Sequence, residues 1–214
     1  MPLQNRVSPS GQLFSSPARG TLMGNRGGVL HNEQREIIRQ YKSRSWITCQ
    51  LEFKGRRRKV MTPGLYTELF FLDEATALAA GHRPCAECRR ERFNAFKAAW
   101  RGWSVRNEST PLLVGEMDVQ LHRLRIGSSR EKITYQSAID SLPDGCLIRF
   151  GGGDYLVQGR RLLLWSPDGY VKWTDRHRRD RVTVLTPRPI VACLSQGYVA
   201  GVHASAFSAD LPKL

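Results

Sequence analysis

Cys85 and Cys88 stand two residues apart in the segment Gly81-His82-Arg83-Pro84-Cys85-Ala86-Glu87-Cys88-Arg89-Arg90. A two-residue gap on a tight turn lets both sulfurs reach one metal ion at about 2.3 Å. The same turn is predicted to open a helix over 89–103, and amides at a helix N-terminus favour the thiolate over the thiol. Upstream, Asp73 is placed to cap a helix running through Ala80, with Gly81 as its stop. The chain holds five cysteines, an odd number, which suits metal binding or redox work better than a disulfide framework. Cys146 and Cys193 fall in apolar runs and read as core. The bland alternative for the pair is a metal-free turn with buried thiols.

Across 75–90 the order is a short helix, Ala79-Ala80-Gly81, Arg83-Pro84-Cys85-x-x-Cys88 and then Arg89. This resembles the zinc-binding module of the Ada-type DNA alkyl-repair proteins, with a looser likeness reaching back to about 46. In that family an earlier cysteine pair on a strand completes the zinc site. One cysteine of that pair accepts a methyl group from a DNA phosphotriester, and the same half-motif occurs in modules appended to nucleases. Here Cys49 stands on the upstream strand without a second cysteine near it. The resemblance therefore implies a structural zinc held by Cys49, Cys85 and Cys88, with His31 or His122 as the fourth ligand. His82, a distant cysteine or a water are the other candidates for that position, and the methyl-acceptor role does not carry over.

Glu68 interrupts an otherwise apolar strand, Tyr66-Thr67-Glu68-Leu69-Phe70-Phe71-Leu72. A carboxylate on a buried face is paired or carries a raised pKa, and such groups often do acid–base work. Pairing with an arginine of 56–58 is the structural alternative. Asp118 and His122 lie four apart on a helix predicted over 112–125, where an Asp can fix a His tautomer or form a plain surface pair. Glu68, Asp118 and His122 are the candidate catalytic residues. Pro2 is a minor one, since a secondary amine exposed by loss of Met1 can attack an abasic sugar.

Lys and Arg outnumber Asp and Glu by 33 to 19, a formal charge of +14. The commonest partner for such a charge is nucleic acid, whose phosphates release counterions when Lys or Arg neutralises them. DNA is the expected partner, with RNA open beside it. Arg19, Asn25 and Arg26 lie in a glycine-rich stretch, 19–28, that could close amides and guanidinium groups on a phosphate. No Gly-Lys-Ser/Thr follows it, so it is no Walker loop, and a plain loop is an equal reading. Lys54, Arg56, Arg57, Arg58, Arg89 and Arg90 belong to basic clusters that recur at 54–59, 89–92, 158–161 and 176–181. Phe53, Phe93, Trp165 and Trp173 lie near them and could stack on unpaired bases.

The elements that must position these residues are of α+β class. Residues 1–45 read as an arm with a glycine-rich loop and a short polar helix at 32–41. The Ada-like module follows over 46–105, a linking helix over 106–135, and a small antiparallel β-rich unit, a barrel or curled sheet, over 136–214. No apolar run approaches the roughly 20 residues that cross a bilayer, and no signal-peptide core is present, so a cytoplasmic protein is expected. Together these features point to a zinc-containing DNA-binding protein for repair or processing of damaged or modified DNA, acting on an extruded base or an abasic site. The rival is a non-enzymatic regulator or adaptor with structural zinc.

Overall fold

The structure is a computed structural model that describes residues 1–55, 59–103, 112–177 and 180–214. It is of mixed α+β class, and the described residues form two six-stranded sheets and four α-helices. The first part of the chain supplies β1 (Arg6–Val7), β2 (Leu13–Phe14), β3 (Leu22–Asn25), β4 (Ile47–Cys49), β5 (Leu69–Phe71), α1 (Glu74–Ala79) and β6 (Arg83–Pro84). Helices α2 (Arg90–Trp103) and α3 (Val114–Arg125) follow. The remainder gives β7 (Tyr135–Ala138), β8 (Leu147–Phe150), β9 (Gly153–Gln158), β10 (Arg161–Ser166), β11 (Gly169–Asp175), β12 (Arg181–Val184) and α4 (Arg188–Ser195).

The first sheet runs β2-β1-β5-β3-β4-β6. Residues 1–30, whose Gly, Ser, Pro and Asn content indicates mostly loop, also supply the short strands β1, β2 and β3: β1 lies parallel to β5, pairing Arg6 with Phe70, and β3 is antiparallel to both β4 and β5. The polar helix expected at 32–41 is absent. In its place His31 bridges Ile37, Asn32 accepts the Glu36 amide on its side chain at 2.9 Å, and Arg35 turns the chain with φ +62°. An Asn that closes its own turn competes with the helix the local polarity suggests.

Helix α1 forms as its sequence dictates. The Asp73 carboxylate accepts from the Thr76 amide at 2.8 Å and from its hydroxyl at 2.7 Å, and Gly81 ends the helix with φ +88°. Every residue of α1 is buried because the helix serves two cores. Ala77 and Ala80 pack with Val7, Leu13, Leu30, Leu69 and Phe71 of the first sheet. Ala75, Leu78 and Ala79 join the larger core formed with α2, α3, α4 and the second sheet.

The second sheet runs β11-β10-β9-β8-β12-β7, every neighbour antiparallel. Its hairpins are set where the turn residues stand: Gly151, Gly152 and Gly159 all have positive φ. Helix α4 packs on α2, buries Ile190, Cys193 and Leu194 in the larger core, and stops at Gly197, with φ +91°. Among the described residues, no helix is long and apolar enough to cross a membrane.

Candidate metal centre

Strands β4 and β6 lie side by side and parallel, with Ile47 opposite Arg83 and Thr48 opposite Pro84. The ladder continues one step further, where the Cys85 amide donates to the Thr48 carbonyl at 2.9 Å. Cys49 and Cys85 therefore leave the sheet together at the same end. Three residues on, the turn into α2 carries Cys88 back to them, and the Arg89 amide donates to the Cys85 carbonyl at 3.2 Å. The three sulfurs all lie within 4.8 Å of one another. Three thiolates at about 2.3 Å from a tetrahedral ion stand about 3.8 Å apart, so the grouping fits a metal ion.

The thiols act on one another as a unit. A hydrogen bond from Cys49, opposed by burial and joined by the amides of Cys88 and Glu87, brings the Cys85 thiol down to about 5. Cys49, the donor, is pushed up by that same bond and by burial, and burial raises Cys88. The three thiols thus share their protons, and a bound cation would take the place of those protons. Cys85 is buried, while Cys49 and Cys88 are partly exposed.

An ion-pair layer fixes the base of this centre. Arg89 donates to Glu74 at 2.8 Å and to the Thr48 hydroxyl at 3.0 Å, tying the start of α2 to α1 and β4. Glu74 also accepts from Arg92, from the Tyr198 hydroxyl at 2.6 Å and from the Gly201 amide at 2.8 Å. Burial alone would raise its pKa, but these partners outweigh burial and hold the carboxyl below its usual value. Arg83, just before Cys85, donates to both oxygens of Asp118 at 2.7 and 2.8 Å, tying β6 to α3.

His31 is not part of the group. Its Nδ1 is 2.6 Å from the Thr67 hydroxyl and its Nε2 is 3.3 Å from the Thr62 carbonyl, so both ring nitrogens are engaged within the fold. His122 has its Nδ1 3.1 Å from Arg125, and the His82 Nε2 accepts from Arg26 at 3.3 Å. Among the described residues no other His, Cys, Asp or Glu joins the three cysteines. Cys146 and Cys193 lie fully buried in the core, as their apolar settings indicate.

Each of the three proposed catalytic residues has a partner within the fold. Glu68 is only 3% exposed and accepts the amide of Met61 at 2.8 Å. Met61 is itself buried with φ +53°, so this carboxylate holds a strained turn in place. Asp118 is spent on Arg83 rather than on His122. Burial, followed by Arg125 and Arg44, lowers the pKa of His122.

Of the proposed phosphate ligands, Arg19, Lys54 and Arg90 face solvent. Arg26 does not: it is 1% exposed, against the Trp46 ring. Asn25 uses its side-chain oxygen to accept the Gly27 amide at 3.0 Å, shaping the turn after β3. Arg89 is committed to Glu74, and Arg56, Arg57 and Arg58 lie outside the described residues. Phe93 is buried beside Arg83, and Trp165 donates to Thr76 at 3.1 Å, so neither ring is a free stacking platform. Sequence reasoning missed Arg83 and Glu74. Arg83 carried a signal, since a strand partner of a buried strand needs a counter-ion and Asp118 stands beside the apolar stripe of α3.

No family model matches the chain, and comparison with curated proteins and with solved structures found no match.

Proposed function

We propose that this protein is a zinc-thiolate DNA-binding protein that serves the repair or processing of damaged or modified DNA. The observation that carries the reading is the convergence of Cys49, Cys85 and Cys88 within 4.8 Å at the mouth of a parallel strand pair. Three thiolates form a soft donor set that suits zinc, with a fourth position for water or another ligand. When bound, the ion would lock β4, β6 and the start of α2 to one another. The likeness of 75–90 to the Ada-type module supports the link to DNA damage. The charge of +14 supports a polyanionic partner.

Within this reading the protein recognises and holds DNA, and the acid–base role of Glu68, Asp118 and His122 is dropped because each has a structural partner. Arg90, on the first turn of α2 next to Cys88, and Lys54, on the turn that follows Cys49, put exposed cations on both chain segments that carry the thiolates. The experiment is metal analysis of purified protein, followed by binding to plain and lesion-containing duplexes over a salt series. One equivalent of zinc, with affinity that falls linearly in log salt and is greater for a modified duplex, is the expected result. Metal-free protein with no measurable affinity at low salt would refute it.

A further inference from the structure

Between the first sheet, the C-terminal end of α3 and the second sheet lies a cavity of about 540 Å³. Its lining includes Arg26, Arg125, Lys132, Trp46 and Thr134. Arg26 and Arg125 are each 1% exposed, and both guanidinium groups lie against the Trp46 ring, 4.1 and 4.0 Å from its centroid. Among the described residues, the hydrogen bonds of all three cations go to neutral acceptors. Arg26 donates to the carbonyls of Gly11 at 2.9 Å and Gln40 at 3.3 Å, and to the His82 ring. Arg125 donates to the carbonyls of Gly81 and Arg44, both at 2.6 Å, and lies 3.1 Å from the His122 ring. Lys132 donates to the Ala79 carbonyl at 2.5 Å. The Nε of Arg125 is buried without a partner.

Two other covered guanidinium groups of this half are held differently: Arg83 is paired with Asp118 and Arg89 with Glu74. In the cavity lining the carboxylate is Glu131, and it is exposed. Asp118 offsets Arg125 and Asp154 offsets Lys132 through space, and Lys132 is partly exposed. Buried cations whose hydrogen bonds go to neutral groups are still costly, so a fold that gathers them gains by receiving an anion. Burial, then mutual repulsion, brings Arg125 down to about 9, and burial, then Arg26 and Arg125, brings Lys132 down to about 7. An entering anion relieves both effects at once.

We propose that this cavity binds a phosphate monoester, free or as the terminal phosphate of a nucleotide, with Arg26, Arg125 and Lys132 as its cationic ligands. A monoester brings close to two negative charges and three acceptor oxygens, which answers three cations better than a carboxylate does. The cavity lies within the range of small-ligand sites, so a mononucleotide fits it. Gly81 admits the arrangement: a Cβ there would come within 2.6 Å of the Arg125 Cδ. The inference does not depend on the zinc-thiolate or DNA reading, because it concerns a different face of α1.

The test is calorimetric titration of the full chain at fixed ionic strength with inorganic phosphate, dAMP and deoxyadenosine. Oligonucleotides with a 5′-phosphate or a 5′-hydroxyl form a second arm. Phosphate and dAMP are expected to bind and to raise Tm, and deoxyadenosine to do neither. Lys132→Met is expected to weaken phosphate and dAMP about tenfold or more, and Lys172→Gln on exposed β11 to leave them unchanged. Should Lys132→Met fold poorly, Thr134→Glu supplies a carboxylate to the lining, and is expected to abolish binding while raising Tm. Preference for the 5′-phosphorylated strand, lost in Lys132→Met, assigns the phosphate to a nucleic-acid end. Binding of dAMP without that preference assigns it to a small molecule. The proposal is overturned by absence of any binding, by equal binding of deoxyadenosine, or by Lys132→Met and Thr134→Glu proteins that bind phosphate as the wild type does. A protein that takes phosphate but no duplex DNA keeps this site and loses the function proposed above.

Discussion

Arg83 donates to both carboxylate oxygens of Asp118, at 2.7 and 2.8 Å, with both side chains almost wholly removed from solvent. The pair joins the strand that delivers Cys85 to the helix α3, so metal geometry and core packing share one support. It also settles the role of Asp118, whose oxygens are turned to a guanidinium and not to an imidazole. Removing one partner of a buried ion pair leaves the other charged and unpaired, at a cost of about 3–5 kcal/mol. Asp118→Asn is therefore expected to lower unfolding free energy by that order in urea titration. A loss below about 1 kcal/mol would show the pair to be dispensable.

Glu74 makes acid stability a readout of the layer beneath the cysteines. Its folded pKa is depressed, so its contribution is fully present above the unfolded value, 4.5, and is lost as pH falls through the lower folded value. Glu74→Gln should be less stable at neutral pH and show a flatter decline of stability below 4.5 than the wild type. Parallel acid limbs for the two proteins would contradict this account of Glu74.

Gly81 carries two constraints, a φ of +88° and an Arg125 side chain packed across its Cα. Gly81→Ala incurs backbone strain of about 1–3 kcal/mol before any displacement of Arg125. Thermal unfolding should reveal a clear drop in Tm, whereas Gly55→Ala, where a Cβ meets nothing, should suffer only the milder backbone penalty. Equal effects at the two glycines would mean that Arg125 yields freely.

What could be read from the sequence was what local chemistry decides. Asp73 and Gly81 bound α1, and the glycine turns mark the hairpins of the second sheet, because caps and turns need only near neighbours. The two-residue strands β1 and β2 give no periodic signal, and β1 exists through its pairing with β5, some sixty residues away. The thiolate pair was legible from spacing, and Cys49 was placed beside it through resemblance. His31 was not, since sequence does not show that Thr67 and Thr62 already engage its ring. Arg26 was misjudged for a similar reason: an arginine is expected at the surface, and here tertiary packing seals it. Arg125 did leave a trace, falling four residues after Leu121 on the buried stripe of α3.

Lys54 and Arg90 are exposed cations on the segments adjoining the thiolates. Replacing both with Gln should weaken DNA affinity evenly across sequences. If each touches one phosphate, the slope of log K against log salt falls by about 0.9 per residue. An unchanged slope would place the nucleic acid on another face.

The central claim is a metal ion on Cys49, Cys85 and Cys88. Metal content, measured by elemental mass spectrometry on wild type and on the five single Cys→Ser variants, tests it most directly. Wild type, Cys146→Ser and Cys193→Ser should each carry about one equivalent of zinc, and Cys49→Ser, Cys85→Ser and Cys88→Ser should lose most of it. Wild-type protein without metal, or Cys85→Ser retaining a full equivalent, would contradict the account.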